Sequence, residues 1–298
     1  MYDILIIGGG PAGLTAAIYG VRANKKVLVL ESTTCGGQII NTTHIENYPV
    51  APHITGLEFG QTLEKQAEDL GVEIEYNYAL HIDQIEGGFK VMTDNGEYTA
   101  KTVIIATGTV PRKLHLENED RFTGRGVSYC ATCDGNFFRD KVVAVVGGGN
   151  SAAHEAIYLS EITSKVYLIH RRSELRADDS IIEKLKSKEN IELVLEANIA
   201  QIMGEDKLQQ IKLDNERVLD IDGLFVSIGR EPNAESLMDG LEMDEGKYIV
   251  SNEKCTTNIP GVFVAGDVRE KDLRQLVTAT CDGAVAATGA INYLNSQI

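Results

Sequence analysis

Ile4-Leu5-Ile6-Ile7-Gly8-Gly9-Gly10-Pro11-Ala12-Gly13 decides the fold of this chain. Four consecutive apolar residues suit a buried parallel strand, and the glycines after them complete a Gly-x-Gly-x-x-Gly turn at Gly8, Gly10 and Gly13. Small and apolar residues continue at helical spacing to about Ala23, and Lys26-Val27-Leu28-Val29-Leu30 forms a second strand ending in Glu31. Strand, glycine turn, helix and strand in about 30 residues make a dinucleotide-binding βαβ unit. Gly8 permits the tight turn, Gly10 lets a pyrophosphate approach the backbone, and Gly13 lets helix and strand pack closely. Pro11 and Ala12 lie where the helix N-terminus offers unpaired N–H groups to phosphate. Glu31 can accept from ribose hydroxyls.

The pattern returns. Val142-Val143-Ala144-Val145-Val146 leads into Gly147-Gly148-Gly149-Asn150-Ser151-Ala152, a helix to about Ser160, and the strand Lys165-Val166-Tyr167-Leu168-Ile169. Ala152 takes the third small position. After the strand, His170-Arg171-Arg172 and then Arg176 replace the acidic residue. Arginines there suit a ribose 2′-phosphate through charge-assisted hydrogen bonds, which points to NADPH over NADH. A solvated basic turn is the alternative, and in so acidic a chain this position favours the phosphate reading.

Two such units imply an α/β protein with two Rossmann-like, three-layer dinucleotide-binding domains, the second inserted into the first. Between the fingerprints, 57–70 reads as an amphipathic helix, 74–100 as strands with polar turns, and 103–108 as a buried strand ending in glycine. Helix is expected at 179–189, β structure through 191–228, a final strand at 262–267, and a long helix of small residues from about 274 to 294. Charged and turn residues place the expected boundaries so that 1–113 and 244–298 form the first domain and 114–243 the second.

The chain has 298 residues, enough for two cores, with 28 basic and 44 acidic side chains for a formal charge of −16. That charge argues against nucleic acid or an anionic membrane as the main partner. No apolar run approaches a membrane span, and Met1-Tyr2-Asp3-Ile4 enters a strand directly, so a cytoplasmic protein is expected. Five cysteines, at 35, 130, 133, 255 and 281, do not resemble a disulfide scaffold.

Cys130-Ala131-Thr132-Cys133 holds the one close pair. Zinc would require two further ligands, and no second close pair of cysteines or histidines exists; His44, His53, His81 and His115 form no ligand pattern. Redox exchange requires one attacking and one resolving cysteine, which this spacing permits beside two redox-nucleotide fingerprints. Asp134 follows and can donate or accept a proton during exchange. Cys35, Cys255 and Cys281 are expected to pack as small buried or half-buried residues. Gly266-Asp267 at a strand end, followed by Arg274-Gln275, can add cofactor contacts, although a Gly-Asp pair is usually only a turn.

These residues together resemble the low-molecular-weight thioredoxin reductases, bacterial-type flavoenzymes that use NADPH. The resemblance spans essentially the whole chain. It rests on Gly8–Gly13 with Glu31, Gly36-Gly37-Gln38, Glu46-Asn47-Tyr48-Pro49, Ala106-Thr107-Gly108, Cys130-Ala131-Thr132-Cys133-Asp134-Gly135, Gly147–Ala152, His170-Arg171-Arg172 with Arg176, and Gly266-Asp267 with Arg274-Gln275. It implies FAD on the first domain, its ADP part at Gly8–Gly13 and Glu31, with Gln38 and Asn47 nearer the flavin and Asp267, Arg274 and Gln275 around ribityl and ring. It implies NADPH on the inserted domain at Gly149–Ala152 and the arginines. It further implies a homodimer that reduces thioredoxin, Cys133 meeting the flavin, Cys130 attacking the thioredoxin disulfide, and Asp134 protonating the departing thiolate. One departure is visible: His154-Glu155 stands where the family often has two acidic residues, so altered coenzyme affinity is one expectation. Because the inserted domain carries both dithiol and NADPH, hinges near 112–117 and 241–247 are expected to let it rotate between half-reactions.

Overall fold

The structure is a computed structural model that describes residues 1–297 except 43, 44, 46, 52, 53 and 235. His44, Glu46 and His53 therefore lie outside the described residues. The chain folds as two units, Met1–Val110 with Glu231–Ile298, and Pro111–Arg230.

The first unit opens with β1 (Tyr2–Ile7), α1 (Pro11–Arg22), β2 (Val27–Glu31), α2 (Gly56–Asp69), β3 (Glu73–Tyr76), β4 (Ala79–Ile85), β5 (Gly88–Thr93) and β6 (Gly96–Ile105). Strands β3, β2, β1 and the second half of β6 lie parallel in that order. The first half of β6 pairs antiparallel with β5, and β5 with β4. All of Ile4–Ile6 is buried because β1 has a covered sheet face on each side. Ile4 and Ile6 enter one core with the helices, and Leu5 and Ile7 enter another beneath the antiparallel strands.

After β7 (Thr109–Pro111) the second unit follows with α3 (Glu119–Phe122), β8 (Val127–Ser128), α4 (Ala131–Asp134), β9 (Val142–Val146), α5 (Asn150–Ser160), β10 (Lys165–His170), α6 (Asp179–Lys186), β11 (Ile191–Leu195), β12 (Ile199–Gly204), β13 (Leu208–Leu213), β14 (Val218–Asp220) and β15 (Gly223–Val226). Its parallel sheet runs β11-β10-β9-β15-β8, and β12-β13-β14 form a separate antiparallel sheet. One face of the parallel sheet packs on α5 and α6, the other on the antiparallel sheet. Helix, sheet and sheet make three layers.

The chain returns through β16 (Arg230–Pro232), which pairs with β7, and adds β17 (Val262–Val264) and α7 (Leu276–Ser296) to the first unit. Strand β17 lies parallel to β6, with Val262 opposite Val103. The small residues of α7 have a direct cause. A Cβ on Gly283 would lie 2.2 Å from the Ala12 carbonyl oxygen, so α7 and α1 meet backbone to backbone.

The second boundary differs from the expected one at 243/244, because the chain rejoins the first unit at Glu231. Ala234, Leu237 and Met238 are buried there with Leu5, Ile7 and Val103. Likewise 241–247 is no free linker: Met243 bridges Ile249 within the first unit. Among the described residues no helix is long and apolar enough to cross a membrane.

Candidate active site

In the first unit, the glycine turn is fixed by close approach. Gly8 has φ +110°, and a Cβ there would lie 2.4 Å from the Ala106 oxygen; one on Gly13 would lie 1.8 Å from the Gly8 oxygen. Pro11 occupies the first turn of α1, whose N-cap Gly10 supplies no side-chain cap. The first N–H groups of the helix are left for an anion. Glu31, nearly buried at the end of β2, accepts from Gly9 N–H at 2.8 Å through Oε2 and from Thr33 N–H at 3.0 Å through Oε1. The carboxylate thus braces the turn as well as bordering it.

Three separate segments meet at this turn. Gly37 approaches Gly10, with 3.1 Å between a Cβ on Gly37 and the Gly10 Cα. Gly266 (φ +80°) comes against Ala12, and Ala106 lies over Gly8. Gln38 Nε2 donates to the Thr109 carbonyl and hydroxyl, both at 2.8 Å, beside Gly108. Asn47 Nδ2 donates to Gln275 Oε1 at 2.9 Å. Thr107 Oγ1 is buried with no partner among the described residues, a hydroxyl that a ligand at the ends of β1 and β6 can satisfy. Arg274 lies 3.8 Å over the Tyr248 ring and donates through Nε to the Asp267 carbonyl at 3.2 Å.

Sequence reasoning missed what holds the Gly266 turn. Asp282 on α7 accepts from Gly266 N–H at 3.0 Å, pairs with Arg269 at 2.9 Å and with Lys271 at 2.6 Å, and all three side chains are buried. No motif announces the group, since Asp282 lies more than ten residues from both cations, on a helix while they lie in a loop.

In the second unit, a Cβ on Gly147 would lie 2.1 Å from the Ser227 oxygen, and Ala152 is buried against the same turn. A Cβ on Gly149 would meet nothing within 4 Å, leaving that approach open. Asn150 and Asp178 exchange hydrogen bonds, Nδ2 to Oδ2 at 2.9 Å and Asp178 N–H to Oδ1 at 2.8 Å, while Ser151 is exposed. Arg171, Arg172 and Arg176 are exposed and pair with no carboxylate among the described residues, and Arg176 N–H donates to Gly148 O. His170 is instead buried, its ring against Gly148 and its Nε2 unpartnered among the described residues. Burial first, then Arg176, Arg172 and Arg171, lower its pKa below the usual histidine value of 6.5. His154 is exposed on α5; next to it Glu155 is mostly buried, its pKa pushed up to about 7 by burial against the opposing pull of Ser227 and Arg230.

The same unit carries the cysteines. Cys130 and Cys133 form a disulfide with 5.4 Å between Cα atoms, across the short α4. Ser128 Oγ donates to Asp134 Oδ2 at 2.6 Å, accepts from Cys130 N–H at 3.1 Å, and lies 3.3 Å from the Cys130 carbonyl. Tyr129 donates at 2.8 Å to the buried Glu119, which also accepts from Leu114 N–H. Of the remaining cysteines, Cys35 and Cys255 are buried, and burial pushes both thiols up to about 12. Cys281, expected to be at least half-buried, is exposed on α7. Among the described residues no group of three or more histidine, cysteine or acidic side chains is placed to hold a metal ion.

The pyridine nucleotide-disulphide oxidoreductase family matches residues 2–283. The thioredoxin reductase of Treponema pallidum is 42% identical, covering 99% of this chain and 98% of its own length. That of Mycoplasma genitalium is 44% identical over 96% and 93%. The solved thioredoxin reductase of Lactococcus lactis, in its FR conformation, superposes with a TM-score of 0.92 at 40% identity, covering 99% of this chain and 100% of that one.

Proposed function

We propose a working scheme from the premise that this chain belongs to the pyridine nucleotide-disulphide oxidoreductase family. It is an NADPH-dependent thioredoxin-disulfide reductase of the low-molecular-weight type, a flavoprotein with FAD and NADPH as cofactors. The observation that carries the scheme is the Cys130–Cys133 disulfide on the unit that also carries the arginine-bearing fingerprint.

The first unit fits FAD. The phosphate turn closes at Gly8 and Gly13 but is open at Gly10, and the buried Thr107 hydroxyl has no partner among the described residues. Gly8, Gly10, Pro11, Ala12, Gly13 and Glu31 hold the ADP part in this scheme. Gly37, Gln38, Asn47, Ala106, Thr107 and Gly108 border the flavin, with Gly266, Asp267, Arg274 and Gln275 opposite. The second unit fits NADPH: Gly149, Asn150, Ser151 and Ala152 at the pyrophosphate, and Arg171, Arg172 and Arg176 at the 2′-phosphate. His170 serves as a flat wall behind them. When bound, FAD supplies the two-electron relay between NADPH and the disulfide.

The chain's own residues do the rest. In this scheme Cys133 takes electrons from the flavin, Cys130 attacks thioredoxin, and Asp134 gives a proton to the departing thiolate. Phe137 is 73% exposed four residues beyond Cys133, an apolar contact for the protein substrate. Nicotinamide and disulfide ride on one unit and must take turns at one flavin. The crossings at Val110–Pro111 and Arg230–Glu231, which lie within paired β7 and β16, are the hinges this alternation requires. A homodimer in the cytoplasm completes the proposal.

The test is anaerobic. NADPH added to the purified holoenzyme bleaches the flavin absorbance, and oxidised thioredoxin then restores it. A flavin that stays oxidised with NADPH would replace this scheme with a related flavoenzyme fed by another donor.

A further inference from the structure

We infer that Ser128 is the positioning residue of proton transfer at the dithiol, a two-position hydroxyl that keeps Asp134 partnered whether or not it carries a proton. The inference rests on the reading of Asp134 as the acid. Ser128 ends β8 opposite Phe225 and is 5% exposed, so its hydroxyl bonds within the protein. Its oxygen accepts from Cys130 N–H at 3.1 Å, while its single proton has two acceptors within reach: Asp134 Oδ2 at 2.6 Å and the Cys130 carbonyl at 3.3 Å.

A hydroxyl has one donor and two acceptor sites: with Asp134 ionised the donor and one acceptor are used, and with Asp134 protonated all three. With Asp134 ionised, the Ser128 proton points to the carboxylate in a short charge-assisted bond. With Asp134 protonated, the carboxylic acid donates to Ser128 Oγ, and the Ser128 proton turns to the Cys130 carbonyl. That carbonyl already accepts from Asp134 N–H at 3.1 Å and has a second lone pair free for it. Either way the carboxyl stays fixed beside the cysteines.

The step it serves balances as follows. The Cys130 thiolate bonds to one sulfur of the substrate disulfide, and the other leaves as a thiolate. The proton that Cys130 gave up passes through Asp134 to that leaving sulfur. Cys133 then gives its proton to solvent and attacks Cys130 Sγ, re-forming the enzyme disulfide and releasing the second thiolate, which takes up a proton from solvent in exchange. The enzyme dithiol loses two electrons and the substrate disulfide gains two.

A leaving group stable as a thiolate needs no acid, and that separates positioning from mere structural support. Holoenzyme reduced anaerobically by NADPH is mixed with oxidised thioredoxin, with hydroxyethyl disulfide, or with the aromatic dithiobis(nitrobenzoate), whose leaving thiolate is stable. In Ser128→Ala the ratio of thioredoxin or hydroxyethyl disulfide rate to aromatic rate falls on the order of 10-fold, and Ser128→Thr restores it. Equal slowing with all three disulfides, an unchanged ratio, or failure of threonine to restore it overturns the inference. Asp134→Asn separates the two levels: if it lowers the ratio and Ser128→Ala does not, only the role of Ser128 fails. If Asp134→Asn leaves the ratio unchanged, the reading of Asp134 fails and takes the role of Ser128 with it.

Discussion

Replacing Asp282 by asparagine tests the buried charge cluster under the Gly266 turn. The carboxylate holds two cations and one backbone N–H, through contacts of 2.9, 2.6 and 3.0 Å, with all three charged side chains buried. An amide of the same shape keeps one oxygen. Its NH2 must then face either Arg269 or the Lys271 and Gly266 donors, so donor meets donor on one side, and a net excess of two buried cations remains. Breaking a buried pair by removing one partner costs about 3–5 kcal/mol. For a unit of this size each kcal/mol lowers Tm by roughly 2–4 °C, so a fall of roughly 6–20 °C is expected. Thermal melting followed by flavin fluorescence reports the first unit, and weaker retention of FAD on dilution should accompany the lower Tm, since Asp282 braces the turn at the proposed flavin site. Arg269→Met with Lys271→Met and Asp282→Leu supplies the counter-test. An apolar replacement of a buried ion cluster is often close to neutral, short here by about 1–3 kcal/mol for the Gly266 N–H left unpaired. A loss below about 1 kcal/mol in Asp282→Asn would refute the claim that these charges depend on one another.

Three further perturbations probe other parts of the chain. Arg171→Gln and Arg172→Gln should each raise KM for NADPH about 10-fold with little change in kcat, because each removes a contact made equally in ground and transition state; an unchanged NADPH to NADH ratio of kcat/KM would reject the phosphate site. Glu155→Gln should alter the pH dependence of unfolding in urea. Burial raises the Glu155 pKa from 4.5 to about 7, so between those values the native state binds more protons than the unfolded chain and stability falls as pH rises. The variant lacks that loss and should gain up to about 3 kcal/mol on the native protein between pH 4.5 and pH 8; parallel stability curves would count against it. In Gly283→Ala, helix propensity favours alanine by about 1 kcal/mol, but the new Cβ would lie 2.2 Å from the Ala12 oxygen. Overpacking costs about 1–3 kcal/mol, so net destabilisation is expected in urea titrations, and net stabilisation would show that α1 and α7 separate freely.

The parts legible in the sequence are those whose determinants lie close together in the chain. Each βαβ unit fits into about 30 residues, and Cys130, Cys133 and Asp134 fall within one helical turn. Boundaries fared worse. Turn residues at 241–247 resemble a linker, but Ala234, Leu237 and Met238 had already committed the preceding segment to the first core. That burial is a property of the partner strands, not of the segment. Asp282 is obscured for the same reason: in a helix of small residues an aspartate looks solvated until Arg269 and Lys271 fold over it. Ser128 has no sequence signal at all, since only the short α4 carries Asp134 back to it.

The second glycine of each fingerprint, Gly9 and Gly148, sharpens how one architecture separates two nucleotides. The motif leaves that position open, yet here a side chain has little room: at Gly148 the residue ending the second strand fills the space, and at Gly9 Cys35 and Glu31 share it. A Cβ on Gly9 would lie 3.2 Å from Glu31, and one on Gly148 would lie 2.2 Å from the His170 ring. Glu31 and His170 thus hold equivalent places at the ends of β2 and β10. The carboxylate puts a negative charge beside the turn and repels any phosphate on the ribose. The imidazole, its pKa lowered by burial and three arginines, stays neutral near pH 7 and leaves the positive charge to side chains that can move onto a phosphate. A protonated ring there would add a buried cation beside three exposed ones. Exchanging these two residues alone should therefore not exchange the nucleotides: in the second unit a carboxylate at 170 would neutralise the arginines, and in the first unit a histidine at 31 would remove the acceptor that holds Gly9 N–H.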